Sequence, residues 1–233
     1  CHKWGDPRGE FLLEHGPVGS PERRKLQAGA RLGSLEHLSL ETQGLGLLRV
    51  RVADVHAEFC GVVVETDPKL HPGVVVDNLG LNGGRYATAL SWDPTGWKKE
   101  LLRRPPDLAV IEYGGNEAGD PNFRPAAYKR NLLSVVARVR EVRPEVSCLV
   151  IGLTERNDAE DRIVPVRDVQ REAAAEVGCL FWDSYEQMGG KGSMRVWQAD
   201  GRGADDGVHL KPKGYEELGQ RLAADLLATY HGP

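Results

Sequence analysis

The chain predicts a doubly wound α/β domain with a parallel sheet, preceded by a β-rich segment that is part of a jelly roll or sandwich. Three observations carry this prediction. Four short apolar runs, at residues 74–76, 108–111, 148–151 and 179–182, are continuous rather than alternating, as parallel strands buried on both faces should be. Stretches with apolar residues at helical spacing separate them, and alternation of β and α elements calls for a parallel sheet between helices. Before residue 67 the pattern changes to short alternating runs set off by glycines.

In the first segment, residues 9–16 form a run bounded by glycines, and residues 38–42 and 48–52 alternate apolar with polar as half-buried strands do. Residues 59–65 predict a further strand. Strands about ten residues apart suit a sandwich or jelly roll, although only about four are visible, half of such a fold. From residue 72 the rhythm becomes strand, loop, helix. Tyr128, Leu132, Val135, Val136 and Val139 mark one helix, and Tyr215, Leu218, Leu222 and Leu226 form the apolar stripe of the last. The expected division is therefore residues 1–66, a β-rich accessory segment, and 67–233, the α/β domain.

Composition bounds the partners. A chain of 233 residues corresponds to roughly one and a half domains at about 150 residues each. With 30 Lys+Arg against 34 Asp+Glu the net charge is −4, which argues against a protein held to nucleic acid by bulk positive charge. No apolar run approaches the roughly 18 residues of a membrane span, and the first residues show no signal-peptide core. Cys1, Cys60, Cys148 and Cys179 are too scattered for a disulfide framework, and no C-x-x-C pair suggests zinc. Cys148 and Cys179 each open an apolar run and read as small buried hydrophobes.

Ligands of doubly wound sheets sit beyond the carboxyl ends of the strands. Three segments there hold unusual residues: Asp77-Asn78-Leu79-Gly80-Leu81-Asn82-Gly83-Gly84-Arg85, Tyr113-Gly114-Gly115-Asn116-Glu117-Ala118 and Asp205-Asp206-Gly207-Val208-His209-Leu210. Singly, each has a plain structural reading: a tight turn at Gly83-Gly84, a cap or turn at Asn116, a surface position for His209. The G-x-G-x-x-G pattern of dinucleotide sites is absent. Together they supply what a serine hydrolase needs besides its serine. His209 is a base, Asp206 can hold its tautomer through Nδ1, and the Gly83 N–H and Asn116 amide are donors for a developing oxyanion.

On these residues the chain resembles the GDSL/SGNH hydrolase family. The resemblance implies a flavodoxin-like, three-layer α/β/α fold. The family's second block is similar to Asn78-Leu79-Gly80-Leu81-Asn82-Gly83, which places the oxyanion glycine at Gly83. Its third is similar to Gly114-Gly115-Asn116-Glu117, with the oxyanion asparagine at Asn116 and Glu117 where the family has Asp. Its fourth, Asp-x-x-His, is similar to Asp206-Gly207-Val208-His209. Phe181-Trp182-Asp183, the segment Met188-Gly189-Gly190-Lys191-Gly192-Ser193 and Trp197 look like the bacterial branch that deacetylates cell-wall or other polysaccharides. In that branch a β-rich, carbohydrate-binding-like module stands between the first and second blocks, and residues 1–66 resemble its end. Gly189, Gly190 and Ser193 are then candidates for a substrate loop.

The family's first block, with its nucleophile in Gly-Asp-Ser, has no counterpart. Gly5-Asp6 and Gly119-Asp120 are each followed by Pro. Of the eight serines only Ser184 and Ser193 follow a strand near the expected cleft, and neither holds the family's nucleophile position. That block also supplies the central strand, so the sequence predicts that nucleophile and strand lie upstream in a longer protein. The expected function is a serine esterase removing O-acetyl or other short acyl groups from a polysaccharide or peptidoglycan, without metal or cofactor. Its expected partners are the ester substrate and the missing N-terminal segment, with no nucleic acid and no membrane span. The resemblance implies an extracytoplasmic place, periplasmic or secreted. Two other readings stay open: a non-catalytic carbohydrate-binding or scaffold protein on the same fold, and a lipid esterase or thioesterase.

Overall fold

The structure is a computed structural model, and it describes residues 10–16, 19, 21–27, 47–52, 62–65, 69–70 and 72–231. The chain divides into two compact units, Cys1–Val76 and Asp77–Pro233.

In the first unit β1 (Glu10–Gly16) pairs antiparallel with both β2 (Glu22–Gln27) and β3 (Leu47–Val52), in the order β2-β1-β3. β1 and β3 fall on expected runs. β2 does not read as a strand because Glu22-Arg23-Arg24-Lys25-Leu26-Gln27 is mostly charged. It is recruited by its partner: the register sets Arg23 opposite Glu14, and Arg23 Nε donates to Glu14 Oε1 at 2.8 Å. Opposite charges directly across a ladder stabilise it by roughly 0.2–1 kcal/mol. The expected strand at 38–42 and residues 59–61 of the next lie outside the described residues. Residues 62–65 are not a strand: they are exposed, and present three valines in a row rather than an alternation that could bury one face.

In the second unit β4 (Leu108–Glu112), β5 (Ser147–Ile151) and β6 (Leu180–Trp182) form a parallel sheet in that order. The helices are α1 (Tyr86–Ser91), α2 (Pro94–Arg103), α3 (Gly115–Ala118), α4 (Pro125–Arg140), α5 (Glu160–Glu176), α6 (Ser184–Met188), α7 (Ser193–Ala199) and α8 (Pro212–His231). β5 shows how the layers arise. Cys148 and Val150 point into a core with Tyr86, Leu132 and Val166, from α1, α4 and α5. Leu149 and Ile151 point the other way, onto Met194, Trp197 and Leu218 of α7 and α8. Successive strand side chains alternate faces, so one continuous apolar run serves both layers. The stripe expected on α4 is buried throughout, whereas Tyr215 of the expected α8 stripe turns to solvent.

Two expectations fail here. Residues 74–76 are not a strand: Val74 is 91% and Val76 84% exposed, in a stretch with no ladder partner among the described residues. β4, which ends the described sheet, is also not buried on both faces, since Val110 is 49% exposed. An apolar strand is buried only when a neighbour extends the sheet, and the described residues provide none at this edge. Cys148 and Cys179 are buried as expected, but their sulfurs are joined, with Cα atoms 4.8 Å apart. Parallel pairing of β5 with β6 brings the two residues side by side.

Candidate active site

The loop before α1 folds on itself: Gly80 N–H donates to Asn78 Oδ1 at 2.8 Å, and Gly84 N–H to the Leu81 carbonyl at 2.9 Å. Gly83 is exposed in this turn. After β4 the chain turns at Gly114, whose φ of +130° suits only glycine, and a Cβ there would lie 2.9 Å from Tyr128 Oη. The turn starts α3, which carries Asn116 and Glu117. Asn116 Nδ2 donates to the Gly84 carbonyl at 2.9 Å, so the two expected oxyanion donors belong to one assembly. The other amide hydrogen of Asn116 is not engaged by that bond.

Glu117 completes the joint. It is buried, and its Oε1 accepts from the Tyr86 amide, the first of α1, at 3.1 Å, while Oε2 has no partner. Burial pushes the Glu117 carboxyl up, against the lowering effect of the Tyr86 amide and of Arg85. Arg85 reaches Asp120, just past the end of α3, at 3.1 Å, a third tie in this region. Glu117, where the resemblance has Asp, thus reaches back to the first residue of α1.

Asp206 and His209 are the second assembly. Asp206 Oδ1 accepts from the amides of Val208 and His209, each at 2.9 Å, and Oδ2 lies 2.7 Å from His209 Nδ1. The His209 amide, its ring and the Val208 amide hold the Asp206 carboxyl well below the usual carboxylate range. With Nδ1 engaged, Nε2 is the ring nitrogen left for a reacting hydroxyl. Both side chains are exposed.

Three consecutive residues after β5, which the sequence reading passed over, connect the site loops. Buried Glu155 accepts from the amides of Gly192, at 3.2 Å, and Met194, at 2.5 Å, fixing the glycine-rich loop. Arg156 donates to the Gly115 carbonyl in α3 and pairs with Asp158. The Asn157 amide donates to the Gly207 carbonyl at 2.9 Å, and its side chain bonds Gln198 at 2.9 Å. Gly207 has φ +68°, and a Cβ there would come within 2.6 Å of Asn157 Nδ2. A run of Glu, Arg, Asn and Asp immediately after a buried strand was the available signal, because the carboxyl end of a strand is where such sheets hold ligands.

Ser193, at the start of α7, is buried with its Oγ unpartnered, and Ser184 is buried as well. Gly189, Gly192 and Ser193 line a cavity of about 510 Å³ with Met188, Trp197 and Arg221. Among the described residues no group of three or more His, Cys, Asp or Glu is placed to hold a metal, and no helix is long and apolar enough to cross a membrane.

The second unit is thus a three-layer α/β unit that carries a carboxylate-held histidine on one loop and clustered amide donors on others. Residues 44–217 match the model of the GDSL-like Lipase/Acylhydrolase family, and the chain belongs to that family. Among solved structures it is similar to one titled "Peptidoglycan O-acetylesterase in action", with TM-score 0.63 and 21% identity over 96% of this chain. It spans 65% of that structure's length. A lipase/acylhydrolase from Enterococcus faecalis matches at TM-score 0.47 and 25% identity, over 62% of this chain and 71% of that one. No curated protein matches the chain.

Proposed function

We propose that this chain carries the base, its orienting carboxylate and the oxyanion donors of a serine esterase that removes O-acetyl or other short acyl groups from a polysaccharide or peptidoglycan. The observation that carries the proposal is the Asp206–His209 pair, in which one carboxylate accepts two backbone amides and the ring Nδ1. His209 Nε2 takes the proton from the serine hydroxyl as its oxygen attacks the acyl carbon. The resulting oxyanion accepts from the Gly83 N–H and the remaining amide hydrogen of Asn116. Protonated His209 then gives its proton to the departing sugar oxygen, and a water molecule, activated in the same way, releases the acid.

The nucleophile is proposed to arrive on a strand that adds to the free edge of β4. Exposed Val110 supports this, since such a strand would cover apolar surface now open to water. Residues 1–66 are proposed as the accessory carbohydrate-binding-like segment and 67–233 as the hydrolase domain. The loop at Gly189, Gly190 and Ser193 is proposed to line the substrate cleft, and the fold relative with peptidoglycan O-acetylesterase in its title supports that substrate class. The protein is proposed to act outside the cytoplasm, where the Cys148–Cys179 bond would persist.

The test is made on the protein carrying both this chain and the nucleophile. His209→Ala should lower acetate release from an acetylated glycan by about 10⁴-fold or more. Unchanged turnover would refute the assignment.

A further inference from the structure

Beyond their carboxyl ends β4 and β5 part company. Their ladder stops at Glu112 opposite Ile151, after which β4 runs into α3 and β5 into the segment that holds Glu155, Arg156 and Asn157. At the parting one side chain bridges the two backbones. Gln170 Nε2 donates to the Tyr113 carbonyl at 2.6 Å, and Gln170 Oε1 accepts from the Leu153 amide at 3.2 Å.

Burial alone would not select a glutamine here. Gln170 stands on the inward stripe of α5 with Ile163, Val166, Ala173 and Ala174, all buried, and is itself fully buried. A buried amide is unfavourable unless it is paired, and an aliphatic side chain would fill the position without that requirement. An aliphatic side chain, however, has no donor and acceptor side by side on one flat group. Two diverging strands need both, because one offers a carbonyl and the other an amide. These partners also fix the orientation of the glutamine, since the reverse would set oxygen against oxygen and N–H against N–H.

The Tyr113 end of the bridge leads to the site. Gly114 turns the chain into α3, which carries Asn116. A Cβ on Gly114 would lie 2.9 Å from both Gln170 Nε2 and Tyr128 Oη, so the turn is seated directly on those two side chains. Tyr128 Oη lies 3.4 Å from the same Tyr113 carbonyl, a weaker second hold. From this turn Asn116 reaches the Gly84 carbonyl at 2.9 Å.

We propose that Gln170 is a positioning residue of the esterase, which sets the Tyr113–Gly114 turn from inside the core and through it aims the Asn116 amide at the oxyanion. The inference rests on the esterase reading above. Gln170 acts through Asn116 and not on the reacting atoms.

The experiment uses the protein carrying both this chain and the nucleophile, with 4-nitrophenyl acetate as substrate and near-ultraviolet circular dichroism to establish that each variant is folded. Gln170→Leu should lower kcat about tenfold or more with KM within about twofold, because the misplaced donor acts only in the transition state. Asn116→Ala should lower kcat about 10²–10³-fold, as removal of one oxyanion donor does. With Asn116 already replaced, Gln170→Leu should cost less than about twofold more, whereas a merely structural role would multiply the two losses. Gln170→Glu keeps the shape and the Leu153 bond but, when ionised, has no hydrogen for the Tyr113 carbonyl. It should also lose kcat, and it carries the test if the leucine variant does not fold. Full kcat in a folded Gln170 variant, a change in KM alone, or multiplied losses in the double variant would each overturn the proposal. If His209→Ala and Asn116→Ala are costly while the Gln170 variants are not, the esterase reading stands and this inference alone falls. If His209→Ala and Asn116→Ala leave turnover unchanged, both fall.

Discussion

At the centre of the antiparallel sheet β2-β1-β3 stands Glu14, flanked by Arg23 and Arg49; at the centre of the parallel sheet β4-β5-β6 stands Val150, fully buried between helices. One sheet is assembled in part by charge matched across a ladder. The other is assembled by apolar burial on two faces, with a disulfide between neighbouring strands. The difference teaches that a charged run becomes a strand through its cross-strand partners, whereas an apolar run carries its own local signal.

The contrast breaks most sharply at Leu132, which is fully buried in the parallel unit. Leu132→Ala should cost about 2–5 kcal/mol in urea denaturation, through lost burial and the cavity left behind. Arg51→Ala, on the exposed face of the other sheet, should change stability by no more than about 0.5 kcal/mol in the same measurement.

Replacing Cys148 and Cys179 by Ser should cost roughly 3–4 kcal/mol by the loop-entropy account, for a bridge spanning 31 residues. Differential scanning calorimetry would show it as a lowered Tm for the parallel unit, leaving the antiparallel unit unmoved.

Titration sharpens the comparison, because two buried acids have opposite signs. The Glu14 carboxyl is held low, so its contribution to stability is present above the ordinary carboxylate range and fades as pH falls through its folded value. Glu117 is held high, so its contribution is greatest at low pH and is lost as pH rises through its folded value. Denaturation from pH 3 to pH 7 should show Glu14→Gln and Glu117→Gln diverging from the unaltered chain in opposite directions. A small effect is also expected at Arg85: breaking its half-exposed pair with Asp120 by Arg85→Ala should cost at most about 1 kcal/mol.

The legibility of each part follows from the range of the forces that make it. β5 and α4 were readable because burial leaves a local signature, a continuous run or a helical stripe. β2 was not, because Glu22-Arg23-Arg24-Lys25-Leu26-Gln27 becomes a strand only beside Glu14 and its neighbours on β1. Residues 74–76 misled in the reverse sense: they have the composition of a buried strand, but the described residues give them no partner. In the site, Asp206 and His209 are three residues apart and could be paired from spacing alone. Glu155, Arg156 and Asn157 act on Gly192, Gly115 and Gly207, whose positions only the folded chain reveals. The Cys148–Cys179 bond was equally hidden, since it depends on which strands become neighbours.

That bond lies where β5 and β6 begin, whereas the loops bearing Glu155, Asn157 and Ser193 follow the ends of the same strands. It therefore fastens the floor of the sheet and leaves the working rim to its hydrogen bonds. Reducing the bond would loosen the starts of the strands and leave the loop hydrogen bonds in place, so the covalent and the polar restraints of this unit act at opposite ends of the same two strands.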